Sequence, residues 1–235
     1  MTERGITTEK LSFNSLLSRD AILRHMEAEN IVIDPFVSEN LGTVSYDVTL
    51  GPSYFREQQR SPLKTFYSPW SRGDVEEVWG QPQEASSARD VFEGFRVPEG
   101  IKDEDRIIVI SPGETILAHT SEFIGGKDCV TTMMKARSSL GRNFIEICKC
   151  AGWGDVGYIN RWTMEITNNS TRYAIPLVVG RRIAQIAFFQ VDRFSGKDYS
   201  ADGKYNTSLD IEKIKREWQP QMMLPQMWKD REVGR

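Results

Sequence analysis

Three segments of this chain carry side chains that could do chemistry together. The first is KARSSLGR, Lys135 to Arg142, in which Arg137 and Arg142 flank Ser138, Ser139 and Gly141. A turn or helix start here would aim N–H groups and hydroxyls at an anion, with the guanidinium forks supplying charge-assisted bonds to phosphate oxygens. Alone, such a run is more often a solvated connection. The second is CAGWGDVGYINRWTMEITN, Cys150 to Asn168, a glycine-rich hairpin with Asp155 that leads into a strand with Glu165. Side chains alternate along a strand, so Thr163, Glu165 and Thr167 share one face and Trp162, Met164 and Ile166 the other. Glu165 is then either the wet face of a sheet or a pocket carboxylate. In a pocket its raised pKa would suit proton transfer near neutral pH. The third is YSADGKYN, Tyr199 to Asn206, which could fold over a ligand or be a flexible tail with aromatics.

The elements that must position these groups are mostly strands. Ser18 caps a helix predicted to run to about Asn30, with Leu17 and Ile22 as a hydrophobic staple and Asp20 in the first turn. From Ile31 the period becomes that of strands: IVIDP, then SYDVTLG, which Gly51-Pro52 stops. Short strands resume as RIIVI, ETILAH, CVTTMMK, FIEICK, RWTMEITN, YAIPLVV and RIAQIAFFQV. No helical segment separates them, which predicts an all-β barrel or sandwich with a few short helices. Between them, residues 56–100 lose regularity and collect Pro62, Pro69, Pro82 and Pro98. This stretch reads as a surface insertion held down by Trp70 and Trp79, with a substrate lid as the alternative. Asp210 to Trp218 reads as a short helix with Ile211, Ile214 and Trp218 on one face.

Composition excludes several classes. With 39% hydrophobic residues, six Trp and eleven Phe among 235 residues, the chain can bury a sizeable core, and 27% charged residues is ordinary for a soluble protein. A net charge of −3 argues against broad capture of nucleic acid. No apolar run approaches a membrane span, and MTERGITTEK lacks a secretory pattern, so a cytoplasmic protein is expected. Cys129, Cys148 and Cys150 are too few and too poorly spaced for a disulfide framework. Zinc is not expected: His25-Met26-Glu27 matches an H-x-E half-motif, but no P-C-x-x-C follows and the only other histidine is His119. Neither a phosphate-cradling G-x-x-x-x-G-K-S/T loop nor a nucleophile elbow is present.

Taken in order, the segments resemble the dCTP deaminases, of the same superfamily as the trimeric dUTP diphosphatases. Arg137 to Arg142 is similar to that family's R-S-S-L-A-R motif. Ala151-Gly152-Trp153 with Asp155, Gly157 and Tyr158 resembles T-A-G-W/F-x-D-P-G-F/Y, and Thr163 to Asn168 resembles T-L-E-L/I-x-N. IVIDP, SYDVTLG, RRIAQIAFF and Tyr199 to Tyr205 resemble its outer strands and closing tail. The resemblance implies a dUTPase-like distorted β-barrel or jelly roll over residues 1–206, with the 56–100 insertion, and a helical extension over 207–235. It also implies a homotrimer with sites between subunits, so that Arg137 and Ser138 would serve a neighbour's pocket.

The implied activity is zinc-independent deamination of dCTP to dUTP and ammonia. Glu165 would be the general base, oriented by Arg142, with Ser138 near the reacting centre. Ala151 would read the base edge, Asp155 would hold the sugar 3′-hydroxyl and Tyr158 would pack on the deoxyribose. Arg137, Ser139, Gln185, Tyr199, Lys204 and Tyr205 would surround a triphosphate accompanied by Mg²⁺. Departures from the pattern are Val156 for Pro, Asn160 for Gly, and Asn206-Thr207-Ser208 for a Q-G-Q-like ending. Together with the insertion they leave open a modified cytosine nucleotide or a monophosphate as substrate. The alternatives are a dUTP diphosphatase or a bifunctional enzyme forming dUMP, in which Asp155 would activate water, and a non-catalytic nucleotide-binding module.

Overall fold

A computed structural model describes residues 15–58, 65–192 and 195–233; the polar leader and Pro62 lie outside them. Among the described residues the strands are β1 (Ile31–Asp34), β2 (Ser45–Arg56), β3 (Gln83–Glu84), β4 (Ser86–Ser87), β5 (Arg106–Ile110) and β6 (Thr115–Gly126). They continue with β7 (Val130–Ala136), β8 (Ile145–Ile147), β9 (Trp153–Gly154), β10 (Ile159–Asn168), β11 (Ile175–Val178) and β12 (Arg182–Gln190). The helices are short: α1 (Arg19–Glu27), α2 (Arg72–Trp79), α3 (Ala88–Val91), α4 (Ser138–Gly141), α5 (Tyr199–Asp202) and α6 (Ile211–Glu217). The mainly β expectation holds.

One nine-stranded antiparallel sheet runs β8-β10-β6-β2-β12-β7-β9, with β1 on β6 and β3 on β2. A three-stranded sheet, β11-β5-β4, faces the same core and contributes Ile108, Ile110 and Leu177 to it. The core takes alternate residues from each long strand: Val48 and Leu50 of β2, Ile116 and Ala118 of β6, Met164 and Ile166 of β10, Ile186 and Phe188 of β12. Ser18 caps α1 as read from sequence, its hydroxyl accepting from the Ala21 amide, and Leu17 and Ile22 are both buried.

Two strands are longer than their sequence pattern. β2 does not stop at Gly51-Pro52 but continues to Arg56, because a register shift between Leu50 and Tyr54 absorbs the residues that cannot pair normally. Gly51 is required there: a Cβ would overlap the His119 ring. β6 runs on to Gly126 because both its faces are covered, so it shows no alternation of polar and apolar residues.

Its second face is where the insertion and the C-terminal stretch settle. Phe55, Leu117, Val75 of α2, Met223 and Leu224 form a second apolar cluster, against which Trp79, Trp218 and Trp228 pack. Residues 56–100 are therefore held there by Val75 and Trp79, and by Ala88 against Ile107 and Val178, while Trp70 is 52% exposed. α6 forms where the sequence predicts it, capped by Asp210, whose carboxylate accepts from the Glu212 and Lys213 amides. Its Ile214 is buried, and the Arg161 guanidinium lies over the rings of both Trp218 and Phe123.

Candidate active site

Glu165 stands in a row of side chains that crosses three strands. Register pairs it with Leu117 on β6, and Leu117 with Phe55 on β2. These three share the face turned away from the main core, so the apolar cluster over Phe55 and Leu117 reaches to the flank of Glu165. On the other flank, the Cys148 amide donates to the Glu165 carbonyl at 3.0 Å, and Cys148 and Lys149 take positive φ values of 62° and 41°. That turn swings Lys149 and Ala151 over the sheet, where they join Glu165 and Thr163 around a cleft of about 610 Å³.

Burial pushes the Glu165 carboxyl above its ordinary range, partly opposed by its own backbone and by the Lys149 charge. Burial likewise raises the Tyr158 phenol and the Cys148 thiol, so both keep their protons at neutral pH. The folded chain thus binds a proton at Glu165 more tightly than the unfolded chain does. Ionising it costs stability as pH rises from the unfolded value, about 4.3, through the raised folded one. Glu165→Gln should accordingly melt at a higher temperature than the parent at pH 7.5, with the gain vanishing at pH 4; equal melting at pH 7.5 would mean that Glu165 is not desolvated.

The far end of the cleft is aromatic. Tyr158 meets Trp162 and Tyr199 edge to face, with ring centroids 5.2 and 5.3 Å apart. Tyr199, Lys204 and Tyr205 belong to the tail, which is folded down onto the hairpin. The Tyr199 amide donates to the Val156 carbonyl at 2.9 Å, and the Asn160 amide side chain donates to the Tyr205 carbonyl at 3.0 Å. Asn206 is buried and donates to the carbonyls of Ile159 and Ser208 at 3.0 and 2.8 Å. The C-terminal stretch holds the same tail from outside: Asp230 pairs with Lys204, raising its pKa, and the Gln226 amide donates to the Tyr205 hydroxyl at 3.2 Å. Three positions that depart from the family pattern, Val156, Asn160 and Asn206, are thus the tail's anchors.

Loss of the buried Asn206 bonds in Asn206→Ala should cost about 1–3 kcal/mol. Amides between Tyr199 and Tyr205 should then exchange hydrogen roughly tenfold faster, while those of β10 are unaffected. Unchanged exchange in the tail would show that Asn206 does not anchor it.

Of the residues singled out in the sequence, Glu165, Ala151, Asp155, Tyr158, Tyr199, Lys204 and Tyr205 line this one cleft. Arg137, Ser138, Ser139, Arg142 and Gln185 do not. Ser138, Ser139 and Arg142 are exposed on and beside α4. Arg137 pairs with Asp47 at 3.4 Å and borders a separate cavity of about 730 Å³ with Glu122, Arg181 and Arg182. Gln185 lies across from Asp47 on β2 and Lys135 on β7. Within one chain the cation whose field reaches Glu165 is Lys149, not Arg142. Sequence reasoning missed Lys149, Thr163, Trp79, Met223 and Pro225 as cleft residues. Thr163 was available from its alternation with Glu165; the others reach the cleft only through tertiary packing.

Among the described residues no group of three or more His, Cys, Asp or Glu side chains could hold a metal ion. His25 bonds to Asn30 beside α1, and burial lowers the pKa of His119 to about 4. Among the described residues no helix is long and apolar enough to cross a membrane.

A family model described as dCTP deaminase-like matches residues 16–191. A "dCTP deaminase, dUMP-forming" of Hydrogenobaculum sp. is 30% identical over 177 residues, covering 75% of this chain and 83% of that protein. One of Methanopyrus kandleri is 30% identical over 198 residues, 82% of this chain and 91% of its own. A "dCTP deaminase" of Halorubrum lacusprofundi is 28% identical over 189 residues, 80% of this chain and 83% of its own. Among solved structures, the 2′-deoxycytidine 5′-triphosphate deaminase of Agrobacterium tumefaciens superposes with a TM-score of 0.51 at 16% identity. That match covers 75% of this chain and 48% of the solved one, and it is a likeness of fold.

Proposed function

Because the chain belongs to the dCTP deaminase-like family, we propose that it hydrolyses the 4-amino group from a deoxycytidine nucleotide, dCTP foremost, with Glu165 carrying the proton. One observation carries this reading: Glu165, its pKa raised by burial, lines one cleft together with the hairpin residues Ala151, Asp155 and Tyr158. A carboxylate so tuned can take a proton from water as the oxygen attacks C4 of cytosine. It passes that proton to N3 as the tetrahedral intermediate forms, and then carries the proton of the new C4 hydroxyl to the 4-amino nitrogen. The C4–N bond breaks, ammonia leaves, and a uracil carbonyl remains.

The remaining groups fit the nucleotide from base to phosphate. Ala151 presents its backbone to the base edge, Asp155 accepts from the 3′-hydroxyl and Tyr158 packs on the sugar. Tyr199, Lys204 and Tyr205 surround the phosphates. Lys204 is already paired with Asp230, so one chain offers the phosphates little free positive charge. We infer that a neighbouring subunit of a homotrimer brings Arg137, Ser138, Ser139, Arg142 and Gln185 to this cleft. A divalent cation such as Mg²⁺ would arrive on the triphosphate and offset its charge; the phosphates supply its ligands, so no protein cluster is needed.

The presence of Asp155 in the same cleft favours a second reading, in which the product continues to dUMP with Asp155 activating a water toward the α-phosphate. Incubation with dCTP and Mg²⁺ separates the two. Ammonia with dUTP is the expected outcome, ammonia with dUMP and pyrophosphate marks the bifunctional form, and unchanged dCTP refutes both.

A further inference from the structure

The end of the cleft that holds Glu165 has two chemically unlike sides. On one side the turn after β8 presents Lys149 and the backbone of Ala151. On the other, Leu117 passes directly into the cluster built by the insertion and the C-terminal stretch, and Trp79, Met223 and Pro225 complete the lining. A cytosine ring has two unlike edges as well. N3 and O2 need hydrogen-bonding partners, whereas C5 and C6 carry only C–H bonds and are best placed against apolar atoms.

Resting on the deoxycytidine reading, C4 is set at Glu165, and the ring then has one favourable orientation. Its polar edge turns toward Ala151, and its C5–C6 edge turns toward the apolar side. We propose that Trp79 and Met223 are specificity-determining residues that contact the C5 edge of the pyrimidine, so that any group carried on C5 lies against them. Both come from outside the barrel strands, one from the insertion and one from beyond residue 191, where the family match ends. The flat indole and the unbranched thioether differ in kind: Trp79 sets a fixed wall, while Met223 can change rotamer to fit a substituent.

The test uses 5-iodo-dCTP, whose C5 position couples to adjacent side chains on irradiation, with the unaltered full chain. Coupling should map to the peptides bearing Trp79 or Met223. Coupling confined to residues 149–162 would place C5 on the hairpin side and overturn the inference while leaving the deoxycytidine reading intact. A second measurement compares the Kd of 5-methyl-dCTP with that of dCTP by calorimetry. Met223→Ala should shift this ratio at least about fivefold in favour of the methylated nucleotide, and a ratio equal to that of the parent overturns the inference. If the unaltered chain binds neither nucleotide saturably, the deoxycytidine reading falls together with the inference.

Discussion

Glu165→Gln is expected to stop ammonia release from dCTP, with kcat falling by about 10²–10⁴-fold or more, while nucleotide affinity is retained. The substitution keeps the shape of the side chain and its place in the row with Leu117 and Phe55, so packing is undisturbed. What it removes is the capacity to take a proton from water and to carry one to the leaving nitrogen. No neighbour can replace that capacity. The Tyr158 and Cys148 protons are held too tightly by burial, Lys149 is a cation, and Asp155 is assigned to the sugar 3′-hydroxyl. Steady-state ammonia release together with calorimetric dCTP binding checks both halves of the expectation. Deamination near the parental rate would end the assignment of Glu165.

The second large effect concerns stability. A chain ending at Ser208 lacks Ile214, Met223 and Leu224, which are 7%, 3% and 6% exposed in the full protein. At about 1.5–3 kcal/mol for each buried side chain, their loss amounts to about 5–9 kcal/mol, comparable with the whole stability of a typical domain. It also uncovers Phe55 and Leu117, both now buried, and takes Trp218 from the Arg161 guanidinium. The shortened chain should be insoluble or melt at least about 10 °C lower. Leu224→Ala, costing about 2–5 kcal/mol, should move the same midpoint in the same direction by a smaller amount. A shortened chain that melts with the parent would show that the stretch after Ser208 does not pack on the barrel.

How far the sequence could be read depended on how local the governing physics is. The two faces of β10 were legible because side-chain alternation is a property of the strand alone, and the structure turns Thr163 and Glu165 to the cleft and Met164 and Ile166 to the core. The start of α1 was legible for the same reason, since Ser18 and the staple residues act within one turn. β6 was cut short in the reading because its second face is covered by residues more than 35 positions away, which removes the polar half of the pattern. Trp70 and Trp79 are the same residue type in the same stretch; Trp79 ends α2 against the apolar cluster, whereas Trp70 precedes the helix and is left half exposed. The arginine motif suggested a chemistry but not a location: within one chain Arg137 borders a cavity other than the one lined by Glu165.

The wall formed by Trp79, Met223 and Pro225 has a bearing on the order in which the protein matures. Glu165 reaches its place through antiparallel ladders among β6, β8 and β10, which can assemble as soon as those strands have left the ribosome. The groups that shield it from water are translated almost 60 residues later, and they must dock onto a segment made some 140 residues earlier. Such distant pairings form slowly, because closing a long loop costs entropy before any contact repays it. A half-synthesised barrel would therefore hold its carboxylate wet and unperturbed, and competence for chemistry would be acquired only in the final step of folding.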